Sequence, residues 1–125
     1  MKVKNVNVEI KPLREVLQDA ASVMNKIKNS KQVTPKKGLS FGSVESFRKF
    51  FTPKRLELLK VIKHEQPESI YELAKLTKRD FKSVVTDIRL LEGFGMIDTK
   101  KVVIKGGYKV RPLFDYDKLN VEIAM

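Results

Sequence analysis

The chain has 125 residues, no cysteine and a single histidine, which excludes disulfides, thiolate metal sites and zinc held by a histidine cluster. Lys and Arg number 26 against 15 Asp and Glu, and the net charge of +11 favours a polyanionic partner, nucleic acid before an anionic membrane. No apolar run is long enough to span a bilayer, and the N-terminus does not read as a signal peptide. We therefore expect a cytoplasmic protein with no cofactor and no metal.

Residues 1–42 are predicted to form an N-terminal arm. Val6, Val8 and Ile10 alternate with polar residues, which is the period of a half-buried strand. After Pro12, apolar residues recur at three- and four-residue steps and form one face of a helix, followed by a polar linker to Gly42. Since this face has no obvious partner in a small domain, we predict that it is a homodimer interface, made of Leu13, Val16, Leu17, Ala20, Met24 and Ile27.

Residues 43–95 carry the start signals of four helices. Ser43, Thr52, Ser69 and Asp80 are N-cap residues, whose side-chain oxygens accept from otherwise unpaired backbone N–H groups. Pro53 follows Thr52 at the first helical position, and Glu72 completes a capping box with Ser69. The last helix runs from Phe81 to about Phe94, and Gly95 ends it in the left-handed conformation.

A basic hairpin is predicted after the last helix. Strand-like runs on either side of Gly106-Gly107 indicate a tight turn, because both glycines tolerate positive φ. The tail from Phe114 to Ile123 predicts one further strand near its end. The predicted fold is therefore α+β and mainly α: a winged helix-turn-helix over residues 43–125, with the strand-helix arm before it.

The helix over 81–94 is the predicted recognition helix, and the wing covers 100–111. The core stripe of this helix would contain Phe81, Val84, Val85, Ile88 and Leu91, while Asp87 would lie beside the groove-facing side. From Lys75 to Arg111, ten basic residues face only four acidic ones. Ser, Thr and Arg can engage bases or phosphates, and Lys more often engages phosphates. The predicted contacts to double-stranded DNA are Lys78, Arg79, Lys82, Ser83, Thr86, Arg89, Lys105, Lys109 and Arg111.

The run TPKRLELLKVIKHEQPESIYELAKLTKRDFKSVVTDIRLLEGFGMID resembles archaeal and bacterial winged-helix regulators related to MarR and ArsR. It is similar, more closely, to small predicted transcriptional regulators in which an FTPKRLELL-type helix start follows a short arm, and the ending DYDKLNVEI resembles their C-terminal strand. The resemblance implies a DNA-binding regulator. Members of that group sometimes lie beside toxin genes as antitoxins, so a protein partner such as a toxin is a second expectation.

Two alternatives stay open from the residues alone. The winged domain could be a protein-docking module whose basic surface meets an acidic protein. RNA could replace DNA, although the sequence shows no aromatic stacking surface on the basic face.

A third alternative is an enzyme built around Ser40, because GLSFG at residues 38–42 fits the G-x-S-x-G motif of serine hydrolases. We do not expect catalysis there. That fold needs a large parallel sheet, which a chain of this length with these patterns does not provide. The sole histidine, His64, falls in another predicted helix, and its position near that helix's C-terminus favours a structural role.

Overall fold

The computed structural model describes residues 5–12, Arg14, Leu17, Gln18, Ala21 and 38–125. The chain divides into two compact units, one of residues 1–50 with 116–125 and one of residues 51–115. The sequence predicts a boundary at residue 42 and assigns the last strand to the second domain. In the structure the first unit extends to Phe50 and includes the last strand, because that strand pairs with the first one.

The first unit contains a three-stranded sheet formed by segments far apart in sequence. Its strands are β1 (Asn5–Ile10), β2 (Gly38–Phe41) and β5 (Lys118–Ile123), in the order β2-β1-β5, and both neighbours run parallel to β1. The predicted strands at both ends of the chain are confirmed. Residues 38–41 were expected in a linker; they form a strand because Leu39 and Phe41 continue the apolar alternation opposite Val8 and Ile10.

One face of this sheet is apolar and the other is polar. Val6, Val8 and Ile10 are at most 4% exposed. Their register partners on β5 are Leu119, Val121 and Ile123, so the apolar side chains of both strands project from the same face. The intervening positions of β1 are polar, which explains why the period-two pattern identified the strand correctly.

The helix α1 (Val44–Phe50) follows β2 directly and packs through phenylalanines. The ring of Phe41 lies 5.8 Å from that of Phe47 and 5.6 Å from that of Phe50, between centroids. The Ser43 hydroxyl accepts from the backbone N–H of Ser46 at 3.1 Å, as its predicted capping role requires.

The second unit contains three helices and a hairpin. The elements are α2 (Pro53–Glu65), α3 (Ile70–Thr77), α4 (Phe81–Gly93), β3 (Asp98–Ile104) and β4 (Gly107–Leu113). Thr52, Ser69 and Asp80 each accept a backbone N–H three residues later, at 3.2, 3.0 and 2.9 Å, so the predicted N-caps are confirmed. Its fully buried side chains come from all three helices, the segments that follow them and the hairpin, and they are Leu58, Pro67, Leu73, Val84, Ile88, Leu91, Met96 and Pro112.

The helices α3 and α4 end in the same type of turn. After α3, Lys78 adopts a left-handed conformation with φ 55°, and Arg79 N–H donates to Ala74 O at 3.0 Å. After α4, Gly95 has φ 76°, and Met96 N–H donates to Leu91 O at 2.9 Å. Both are Schellman motifs, in which the left-handed residue satisfies the last carbonyls of the helix. The first turn leaves only three residues between α3 and α4.

The strands β3 and β4 pair antiparallel, with Ile104 opposite Gly107. Lys105 and Gly106 form the turn, and Gly106 has φ 87°. The predicted Gly106-Gly107 turn is therefore displaced by one residue, because Gly107 is extended at φ 159° and already belongs to β4. The structure is α+β, as expected. Within the described part of the chain, no helix has both the length and the apolar character needed to cross a membrane.

Candidate nucleic-acid interface

The exposed side of α4 carries most of the predicted contacts of that helix. Lys82, Thr86 and Arg89 are exposed, at three- and four-residue steps that put them on one side. The Thr86 hydroxyl donates to the carbonyl of Lys82 at 3.0 Å, and its oxygen remains available as an acceptor. The structure thus brings together two cations and a hydroxyl on a surface-facing helix.

Ser83 has a local role at the start of α4. Its hydroxyl donates to Asp80 Oδ1 at 2.7 Å, and its backbone N–H donates to Asp80 Oδ2. These two hydrogen bonds hold the pKa of the Asp80 carboxyl below its ordinary value. The residue is half-buried, so its predicted nucleic-acid contact competes with the cap.

The hairpin supplies a second group of cations. Lys100, Lys101 and Lys105 are exposed, and Lys105 occupies the turn. Lys109 is half-buried, and its Nζ lies 3.0 Å from Glu68 Oε2. That hydrogen bond, followed by the charge of the same lysine, lowers the pKa of the Glu68 carboxyl. Among the predicted hairpin contacts, Lys105 is accessible, whereas Lys109 is already engaged by a carboxylate.

Asp87 occupies a position that differs from the prediction, and Arg79 is paired with it. Asp87 is 8% exposed and lies in the packed side of α4, where it accepts from Arg55 Nε at 3.1 Å and from Arg79 Nη2 at 2.8 Å. The Arg79 side chain is only 17% exposed. A buried carboxylate requires cationic partners, and the Arg79 guanidinium is one of them. Asp87 therefore lies on the packed side of α4 and, contrary to the prediction from the sequence, does not flank the groove-facing surface. The DNA contact expected of Arg79 stays a prediction, and its guanidinium is paired with Asp87.

The burial of Asp87 could have been predicted from its position in the sequence. The residue follows Val84 by three positions and precedes Leu91 by four, so it lies on the same helical stripe as two fully buried side chains. A carboxylate at such a position predicts buried cationic partners. Arg55, three residues after the Thr52 cap, gave no comparable signal because its contact spans 32 residues of sequence.

Phe81 is a further correction. It was assigned to the core stripe, but it is 50% exposed at the first position of α4. Its ring lies 6.3 Å from that of Tyr71, which is 59% exposed, and both line a cleft of about 530 Å³ together with Tyr108 of the hairpin. We call this the aromatic cleft, defined by Tyr71, Phe81, Tyr108, Arg89 and Lys109. The expectation that the basic face has no aromatic surface is therefore wrong.

The remaining predicted positions are dispersed. Lys78 is exposed in the turn before α4, and Arg111 is half-buried, with an Nε that has no hydrogen-bond partner among the described residues. Of the predicted dimer residues, Leu17 is helical and 61% exposed. The others, Leu13, Val16, Ala20, Met24 and Ile27, lie outside the described residues.

The positions considered for other chemistry are also surface positions. Ser40 is exposed on β2, opposite Glu9 of β1, and His64 is exposed in the last turn of α2. Within the described ranges, no three His, Cys, Asp or Glu side chains come together in a way that could hold a metal ion.

The geometry defines a small α+β protein in which a helix and a hairpin present cations and aromatic rings together. Residues 50–121 match the sequence model of the HVO_A0114 family, and the chain belongs to that family. Comparisons with curated proteins and with solved structures gave no match.

Proposed function

We propose that residues 51–115 form a winged helix-turn-helix that binds double-stranded DNA, and that the protein is a homodimeric transcription regulator similar to those related to MarR and ArsR. In this arrangement α4 enters the major groove, and the β3–β4 hairpin reaches the adjacent backbone. The element order supports it: three helices, a three-residue turn between the second and third, and a two-stranded hairpin after them.

The observation that carries the proposal is the exposed side of α4. Lys82, Thr86 and Arg89 form a surface with hydrogen-bonding groups suited to phosphates and base edges, and buried side chains fix the opposite side of the helix. Lys82 also lies in the first turn, where the helix dipole favours an approaching phosphate.

The Arg79–Asp87–Arg55 contacts support the same proposal by orienting the helix. Asp87 belongs to α4, Arg55 to α2, and Arg79 to the turn between α3 and α4. A carboxylate held by both neighbours restricts rotation of α4, so that the same residues face outward in every molecule. Arg79 is thus a positioning residue in the proposal, and the DNA contacts fall to Lys82, Thr86, Arg89 and Lys105.

The test is fluorescence anisotropy of a labelled mixed-sequence duplex, titrated at several salt concentrations. Lys82→Ala, Arg89→Ala and Lys105→Ala should each weaken binding and reduce the slope of log K against log salt by about 1. Lys60→Ala is the matched control, because Lys60 is an exposed lysine on α2 and should leave the slope unchanged.

Absence of duplex binding by the wild-type chain, even at low salt, would contradict the proposal and favour the protein-docking alternative. Equal losses of duplex affinity in Lys60→Ala and Lys82→Ala would also contradict it, because binding would then depend on the net charge of the protein and not on the exposed side of α4.

A further inference from the structure

The aromatic cleft contains more exposed ring surface than duplex recognition through α4 requires. Tyr71, Phe81 and Tyr108 each expose half or more of their surface, and all three line one cavity. Single exposed apolar residues are ordinary on protein surfaces, but three aromatic rings in one concave site indicate a binding surface. The apolar floor of the cleft includes Val85 and Ile88 of α4.

The size and edge chemistry of the cleft suit a planar organic group. Its volume of about 530 Å³ falls within the range of about 300–1,000 Å³ typical of small-molecule sites. Hydrogen-bonding groups at the edge come from Ser69, Arg89 and Thr99, and the Thr99 hydroxyl contacts the Glu92 carboxylate. A flat ring with polar edges therefore matches the cleft better than an aliphatic side chain does.

The charges around the cleft favour an anionic ligand. Arg89 and Lys109 line it together with the acidic Glu92. Lys109 is paired with Glu68, so the cations that favour an anion are Arg89 and two lysines beside the lining. Lys75 Nζ lies 4.6 Å from the centroid of the Tyr71 ring, and Lys101 Nζ lies 4.7 Å from that of Tyr108. Each of these two rings thus has a cation over its face, which could move to a phosphate linked to a base that stacks there.

We propose that the aromatic cleft binds an unpaired nucleobase of a single-stranded nucleic acid. The base stacks on Tyr108 or on the Tyr71–Phe81 pair, while Arg89, Lys75 and Lys101 contact its flanking phosphates. The inference deepens the proposed function and rests on it for the class of partner. It adds that the protein recognises strands that are melted, looped out or single at an end.

Binding requires that a base replace a lysine on the face of a ring, and base stacking is the stronger of the two contacts. An exposed cation–π contact contributes about 0.5–1 kcal/mol. Base stacking on an aromatic side chain contributes about 1–3 kcal/mol per base. A lysine that leaves a ring for a phosphate therefore gives up less than the ring gains from the base. Stacking is also tolerant of sequence, so a short oligothymidine is a sufficient probe.

The experiment uses the full chain and a short single-stranded oligothymidine carrying one 2-aminopurine, whose fluorescence falls when it stacks. An oligouridine arm distinguishes RNA from DNA, and the labelled duplex is titrated in parallel. Quenching should accompany binding, and Tyr108→Leu and Phe81→Leu should each weaken single-strand affinity by about tenfold or more. Phe94→Leu is the control, because Phe94 is 48% exposed and lies outside the cleft lining. Circular dichroism of each variant establishes that it is folded.

Single-strand binding without quenching, or equal affinities of Tyr108→Leu, Phe94→Leu and wild type, would overturn the inference. Duplex binding with no single-strand binding would overturn it as well and leave the proposed function standing. A wild-type chain that binds neither the duplex nor the single strand would contradict both the proposed function and the inference. Tyr108 lies on the hairpin and outside the buried core, so its substitution keeps the test valid if Phe81→Leu fails to fold.

Discussion

Arg79 donates from Nη2 to Asp87 Oδ2 at 2.8 Å, linking the turn before α4 to the middle of that helix. The second carboxylate oxygen of Asp87 accepts from Arg55 Nε at 3.1 Å. A single acidic side chain thus joins the three parts of the chain whose relative positions decide which residues α4 presents to solvent.

Removal of Asp87 should destabilise the second unit strongly. Asp87→Ala removes the carboxylate that two mostly buried guanidinium groups contact, and breaking such a pair from one side costs about 3–5 kcal/mol. Guanidinium denaturation followed by circular dichroism measures the loss in the free energy of unfolding. Glu57→Ala, an exposed carboxylate on α2, is the control and should change it by about 0.5 kcal/mol or less. A similar effect of both substitutions would show that the Asp87 contacts contribute little.

Opposite stability changes are expected at two left-handed residues that follow helices. Gly95 has φ 76° and open space where a Cβ would lie, so Gly95→Ala should cost about 1 kcal/mol through the backbone alone. Gln66 has φ 47° at the end of α2, where the left-handed conformation costs an L-residue about 1–2 kcal/mol, so Gln66→Gly should stabilise by about 1 kcal/mol after the entropy cost of glycine. Thermal unfolding of both variants checks the signs. A stabilising Gly95→Ala would contradict the left-handed assignment.

The sequence was informative wherever a structure depends on residues close together in the chain. The caps at Thr52, Ser69 and Asp80 and the left-handed Gly95 follow from local hydrogen-bonding chemistry, and all four were predicted. The period-two pattern also gave β1 correctly. These features require no knowledge of what packs against the segment.

Features that depend on distant partners were missed. The strand Gly38–Phe41 was assigned to a linker because its pairing with β1 crosses about thirty residues, and parallel pairs carry no turn signal. Phe81 satisfies the helical period of the core stripe, yet it lies at the first turn of α4, beyond the packed part. Periodicity identifies the side of a helix; how far along that side burial extends depends on its neighbours.

The Glu68–Lys109 contact predicts a specific pH response. Lys109 lowers the pKa of the Glu68 carboxyl, so the ion pair contributes above the unfolded pKa of about 4.3 and is lost as pH falls through the lower folded value. Carboxyl ¹³C chemical shifts across a pH titration measure the pKa directly. Lys109→Met should raise the pKa of Glu68 towards its ordinary value.

Asp80 provides an internal control in the same titration. Its pKa is lowered by Ser83, so Lys109→Met should leave it unchanged while Ser83→Ala raises it. Equal movement of both carboxyls in Lys109→Met would indicate a general field effect and contradict the assigned pairing.

The β5 edge of the parallel sheet is a second candidate interface for the proposed homodimer, beside the predicted helix face that includes Leu17. Val121 and Ile123 are 41% and 53% exposed on the apolar face, and β5 is an edge strand of the sheet that the described residues form. A second copy that pairs along this edge would cover both side chains and satisfy the backbone groups that an edge leaves open. If the homodimer forms along this edge, Ile123→Lys should shift the chain from dimer to monomer in sedimentation velocity, because it places a charge in that contact. A dimer through the predicted helix face should survive this substitution.

Glu122→Lys is the matched control for the dimer. Glu122 adjoins Ile123 but projects from the polar face of the same strand, so an identical gain of lysine should preserve the dimer. If Ile123→Lys remains dimeric while Glu122→Lys dissociates, the polar face forms the interface. If the wild-type chain sediments as a monomer at all concentrations, β5 is a free edge and the homodimer is excluded.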